Sequence, residues 1–455
     1  MTRTLAALGA LLIGTILAAP QTLAQGRFCG GFGGSGHPDI EPKIFAKLNF
    51  DRSNPGFDCQ AWQAFIYLNW PALQAIGTPR GTPNPKAKFG APGTTVWESY
   101  KTVDQTFLPA GADPGKWDPA LPPLSNAVPR DLAARVGMGQ VRALSRISKA
   151  SHVIIANIVR AGVDAAALNN ITQALGGTLY DQQSNPVYYE IALNKDQYQF
   201  IQQNGLFNAN TQLSYAKGAD IVLPSGNTKY GEVGAIELKA AWKVLTPAEI
   251  RSGKFHTAQA ILLGSSNKPV TVGLVGLHFF QMLEGTDQGM WATFAQEDNA
   301  PVNNKIGPGP YTFYNPKCQP APCPINQESA TPVPTQVVQM FPVDPQADPV
   351  NSNMKKMLQA YNAGPWQYYK LVNVQWPLQP DPLGTAPRNA PLPLGGPNTD
   401  TLMNAVLETF QQFNGTSCLA CHQYGSISTS QTPPVKPAPQ NATSYSFMFG
   451  YATAP

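Results

Sequence analysis

Five residues, Cys418-Leu419-Ala420-Cys421-His422, restrict this chain more than any other stretch. Two cysteines with two residues between them and a histidine directly after form the attachment pattern of a c-type haem. On one helical turn the thiols lie along one edge of a porphyrin, each within reach of a vinyl group. The next side chain then offers its imidazole to the iron. The competing readings are a redox-active pair and half of a zinc site. A zinc site wants more ligands, and the sequence holds no second Cys-x-x-Cys; a redox pair wants a βαβ surround, which the flanking residues lack. The expected cofactor is therefore one covalent haem c, held by Cys418, Cys421 and His422.

The 455 residues suffice for one large or two ordinary domains. Charged residues make up 13% of the chain, against 44 prolines and 40 glycines. That share is about half the usual one and suits a loop-rich exported protein. The formal charge is +4 and no Lys/Arg run stands out, so nothing argues for a nucleic-acid partner. Residues 1–24 have the form of an export signal, with Arg3, an apolar run from Ala6 to Ala19, and small residues in Thr22-Leu23-Ala24, so the mature chain is expected to begin at Gln25. The apolar run is shorter than the roughly 18 residues a span requires, and no later stretch reaches that length. The mature chain is thus expected without a membrane span, in the periplasm or secreted. Covalent c-haem is assembled in that compartment, which is oxidising, so the four other cysteines are expected as two disulfides. Proximity favours Cys318–Cys323 and Cys29–Cys59 among the three possible pairings.

The expected fold class is α+β: an antiparallel sheet core, short helices, long proline-rich loops, and the haem segment docked on the body. Residues 25–57 read as an arm. Cys59–Trp70 carries Trp62, Phe65, Ile66 and Asn69 at helical spacing, with Asp58 as cap and Pro71 as stop. Asp131–Lys149 has helical periodicity, Pro186–Asn194 reads as a strand, and Asp196–Gln203 as a short helix closed by Gly205. In Glu232–Val244, Ile236, Leu238, Ala240 and Trp242 alternate with Glu237, Lys239 and Lys243, the pattern of a half-buried strand. With Phe255–Leu263 and Val270–Met282 it should form an antiparallel meander at about 232–282. Residues 300–350 and 379–398 are proline-rich. Thr399–Phe413 places Leu402, Val406, Phe410 and Phe413 at helical spacing and leads into the motif. Only 33 residues follow His422, too few to surround a haem. The expected division is a signal at 1–24, a body at 25–378, and a haem segment at 379–455 integrated with it.

The other side of the iron must then come from elsewhere. His278 is the first candidate for a distal ligand, because it ends an apolar strand broken by Gly273 and Gly276, and strand glycines mark close approach of a bulky group such as a porphyrin. A core histidine bonded to a carbonyl is the alternative. His256, on the neighbouring strand, reaches toward the same pocket. His37 reads as solvated, and His152 has no second feature in its favour. Met448, in an aromatic stretch after His422, is the alternative ligand, although plain core packing is the stronger reading of it. Glu297-Asp298 offers acid–base groups, or simply a turn.

Cys59–Pro71 (CQAWQAFIYLNWP), Gly273–His278 with Trp291–Pro301 (WATFAQEDNAP), and Thr416–His422 (TSCLACH) together resemble exported single-haem bacterial proteins of the cytochrome c family that carry the motif near the C-terminus. The resemblance implies covalent haem and redox function, carried by Cys418, Cys421 and His422, and supplies no substrate. The leading expectation is a periplasmic electron carrier with a redox partner protein of unknown identity. The runner-up is a peroxidase- or oxygenase-type haem enzyme whose body builds a distal pocket. A third is a binding protein with haem as a structural staple.

Overall fold

The computed structural model describes residues 38–73, 78–118, 141–144, 177–263, 266–285, 289–303, 305–318, 323–329, 331–379, 395–435 and 442–455. Along the described chain the elements are α1 (Asn54–Leu68), β1 (Lys101–Thr102), α2 (Val103–Thr106), β2 (Val141–Leu144), β3 (Tyr188–Leu193), α3 (Lys195–Gln203), α4 (Ala209–Ala216), β4 (Ile236–Val244), α5 (Pro247–Ser252), β5 (Thr257–Leu262), β6 (Ser266–Gln281), β7 (Met290–Gln296), α6 (Ala347–Tyr361), β8 (Tyr369–Gln375) and α7 (Cys418–His422). The fold is α+β, with all eight strands in one sheet. No helix among the described residues is long and apolar enough to cross a membrane.

The sheet is built on β6. One edge of β6 pairs with β4 from Val272 to Gln281, while the other pairs first with β5 and then with β7. The sheet therefore forks, with β2 beyond β5 on one wing and β8 beyond β7 on the other. Tyr369 closes the fork: its hydroxyl donates to the Leu274 carbonyl at 2.7 Å and accepts from the His256 amide at 3.0 Å. The strands at 232–282 are antiparallel as their alternation implies, yet they do not form a meander. The β5–β6 hairpin folds back so that β6, with its longer apolar run, lies between β4 and β5.

Helices cover one face. Ser53 caps α1 through its hydroxyl, which accepts from the Gly56 amide, and proline lies in the first turn. The expected cap, Asp58, is instead buried inside the helix. Phe65 of α1 stacks on Phe294 at 4.1 Å. From α6, Asn351 pairs with the Leu371 amide and carbonyl at 3.0 and 2.7 Å, satisfying the outer edge of β8. The expected helix at Asp131–Lys149 is described only at 141–144, and those residues form β2. They pair in parallel with β5, and Arg142 reaches the Glu98 carbonyl at 2.6 Å and Glu190 at 3.5 Å.

The C-terminal segment covers the opposite face, so β4 is buried on both sides rather than half-buried. Thr399–Phe413 is a chain of turns, not a helix. Leu402, Met403, Ala405, Val406 and Leu407 are all buried, which one helical stripe could not achieve. Asn404 ties the segment down, donating to Thr293 Oγ1 and the Phe294 carbonyl at 2.9 Å each. A Cβ on Gly276 would meet Val406 Cγ2 at 2.7 Å, and one on Gly273 would meet Leu245. These glycines admit protein side chains, not a flat ligand. Cys318 and Cys323 are joined in a disulfide. Cys59 is also disulfide-bonded; Cys29, its expected partner, lies outside the described residues, as do the signal segment, His37 and His152.

Candidate functional site

Two rows of side chains floor the site. Ile191, Lys239, His278 and Thr293 stand in register across β3, β4, β6 and β7, with Leu193, Glu237, Phe280 and Trp291 in the next row. Residues two apart on a strand share a face, so both rows look the same way. Above them α7 forms a single turn capped by Ser417, whose hydroxyl accepts from the Ala420 amide at 3.3 Å. β8 docks this turn: buried Gln375 accepts from the Leu419 amide at 2.8 Å and donates to the Thr399 carbonyl at 2.7 Å. Floor and turn border a cleft lined by Cys418, Cys421, His422, His278 and Met448 together.

His422 is held on three sides. Its Nδ1 lies 2.7 Å from the Tyr445 carbonyl, which can only accept, so Nδ1 carries the proton and Nε2 keeps its lone pair. Trp291 and Phe447 flank the ring at 4.5 and 4.8 Å. Burial pushes its pKa down to about 4, although the Tyr445 carbonyl opposes the fall, so the imidazole is neutral at physiological pH. Cys418 and Cys421 are unpaired. Burial, with the Glu408 charge, raises both thiols, Cys421 to about 12, and keeps them protonated.

His278 opens onto the same cleft, and its Nε2 lies 2.8 Å from Glu408 Oε1. The other oxygen of Glu408 accepts from the Asn404 amide at 2.8 Å. Met448 lines the cleft with its sulfur 3.7 Å from Gln197 Nε2. Gln197 also donates to Glu237 at 2.5 Å, and the Ser446 hydroxyl bonds to the same carboxyl oxygen. Burial raises Glu237 to about 7 against those two hydrogen bonds. Burial lowers the Lys239 pKa, with Glu408 opposing the fall.

The other sequence candidates lie elsewhere. His256 does not reach the cleft: it stacks on Trp366 at 4.6 Å and faces Glu98 at 3.1 Å. Glu297 and Asp298 occupy a turn, where they pair with Lys355 and Lys254 at 2.5 and 2.7 Å. Sequence reasoning missed Glu237, Lys239 and Glu408 as site residues. The alternation of β4 had marked the first two as solvent-facing, and only the covering segment turns that polar face inward.

Among the described residues no group of three or more His, Cys, Asp and Glu side chains is gathered as a metal cage. A porphyrin supplies four iron ligands itself, so a haem asks the protein for only one or two. The donor set fits that demand, with two unpaired thiols and a histidine lone pair on one turn, facing a cleft walled by Phe280, Trp291 and Phe447. No protein-family model, curated protein or solved structure matches the chain.

Proposed function

We propose that the chain is a periplasmic c-type cytochrome acting in electron transfer. Cys418 and Cys421 would hold the haem through thioethers, and His422 Nε2 would ligate its iron. The observation that carries this reading is the His422 ring, fixed through Nδ1 to Tyr445 and presenting Nε2 beside two unpaired thiols in one cleft. A haem bound there supplies one-electron exchange between ferric and ferrous iron. The carbonyl bond makes the imidazole a better donor and prevents its rotation, while Trp291 and Phe447 keep water from its faces. The redox partner would be another protein, and export would follow from the expected signal at residues 1–24.

The test is chemical. Haem should survive acid–acetone extraction and migrate with the denatured chain, and the Cys418→Ala/Cys421→Ala double variant should lose all covalent colour. Pigment that extracts from the wild-type protein into the organic layer overturns the reading.

Glu237 favours a second reading, a haem enzyme of peroxidase or oxygenase type. A buried carboxyl with a pKa near 7 at the cleft wall can give or take a proton near neutrality. Carbon monoxide or cyanide binding to the protein as isolated separates the two, since a carrier with both axial positions filled resists it.

A further inference from the structure

The Tyr445 carbonyl that fixes His422 comes from a strained piece of backbone. Thr443–Ser446 is a four-residue turn, closed by the Ser446 amide, which donates to the Thr443 carbonyl at 2.9 Å. Its two central residues, Ser444 and Tyr445, have φ of 49° and 64°. Positive φ at both centres is the pattern of a type I′ turn, which Asn and Gly fill because other side chains crowd the backbone there. Serine and a fully buried tyrosine are poor occupants of it. Backbone held in this region persists only where its surroundings enforce it, and it collects at functional sites.

The enforcement falls on Ser444. Its hydroxyl donates to the Ile221 carbonyl at 3.1 Å and accepts from the Leu223 amide at 2.9 Å, so the strained residue is tied twice to the stretch between α4 and β4. Ser444 is buried, and no water stands ready to replace either bond. From the other side, the chain leaving α7 leans on the same turn. A Cβ on Gly425 would lie 2.9 Å from the Ser446 carbonyl oxygen and 3.0 Å from the Tyr445 carbonyl carbon. Between these supports the Tyr445 carbonyl meets His422 Nδ1 at 2.7 Å. Returning either φ to a negative value rotates the peptide planes of the turn and swings that carbonyl aside.

We propose that Ser444 is a positioning residue for the haem ligand: it holds the strained turn that aims the Tyr445 carbonyl at His422, and so holds down the reduction potential. The proposal rests on the haem reading above. The hydrogen bond from Nδ1 lends the imidazole anionic character and strengthens it as a donor, which favours ferric over ferrous iron. With the carbonyl turned aside, the ring is a weaker donor and the potential rises.

The experiment compares wild type with Ser444→Ala and Gly425→Ala, each as haem-loaded full chain, by redox titration and by deuterium exchange of the His422 Nδ1 proton, followed by NMR of protein labelled with ¹⁵N at histidine. Ser444→Ala removes both ties and leaves the strain. Gly425→Ala keeps the ties and crowds the turn from the side of α7. Both should raise the midpoint potential and speed exchange of the Nδ1 proton by about tenfold, the loss of one net hydrogen bond. A Ser444→Ala protein that is less stable in denaturant yet keeps the wild-type potential and exchange rate reduces Ser444 to a structural role and overturns the proposal. If Ser444→Ala fails to mature, Gly425→Ala decides: a raised potential with faster exchange supports the strained turn as the positioning device, and wild-type values overturn it. In each of these outcomes the pigment stays covalent and the haem reading stands. A wild-type chain without covalent pigment instead takes down the haem reading and this inference with it, and extraction reveals that case independently.

Discussion

Asp58 shows how much a single residue can cost in this interior. It is 2% exposed on α1, and burial, with the Asp344 charge adding to it, pushes its carboxyl up to about 8. An unfolded aspartate loses its proton near pH 4. Between about pH 4 and 8 the folded chain therefore holds a proton that the unfolded chain has released. The contribution is fully favourable below pH 4 and is lost as the pH rises through the folded value. Asp58→Asn should remove the dependence, leaving the variant more stable than wild type by on the order of 2–4 kcal/mol at pH 8 and nearly equal to it at pH 4. Denaturant titrations at the two pH values check this; a gain of the same size at both would mean that the carboxyl is ionised in the fold.

At the scale of elements, the site depends on the joint between β8 and α7. Gln375 is fully buried and spends both ends of its amide on the C-terminal segment, one on Leu419 and one on Thr399. Gln375→Leu keeps the volume but strands an amide and a carbonyl, each costing about 1–3 kcal/mol when left unpaired. The variant should carry less haem per chain and be cleaved by protease in residues 399–417 well before the sheet unfolds. Cleavage and haem content equal to wild type would show that the joint is dispensable. This joint was not legible in the sequence. Strands β3, β4, β5 and β6 and helix α3 could be read from alternation and turn residues, because each obeys a local period. The failure at Thr399–Phe413 has a plain cause: buried residues on every side mimic helical spacing when tertiary contacts, not period, set the backbone. The attachment turn was legible because its chemistry fixes its spacing. Glu408 was not, since 130 residues separate it from the histidine it contacts.

At the scale of the molecule, the segment beyond residue 398 has no core of its own. Ala405, Val406, Leu407, Leu419, Ile427, Tyr445 and Phe449 are buried in clusters that also hold residues of the sheet and of α1. Residues 399–455 expressed alone in a haem-attaching host should yield no cooperative thermal transition, since so short a chain cannot offset its ordering entropy. A soluble holo-fragment with a sharp melt would mean a separable module. The forked sheet has a mechanical result as well. Two wings share one spine and are stitched across the gap by the Tyr369 hydroxyl, alongside the His256–Trp366 stack and the Lys254–Asp298 ion pair. A tilt of the β2–β5 wing loads that stitch, and β8, which begins at Tyr369 and ends at Gln375, works as a lever whose far end grips the turn bearing Cys418, Cys421 and His422. The stiffness felt at the imidazole is thus set partly by how firmly the two wings are held together at Tyr369.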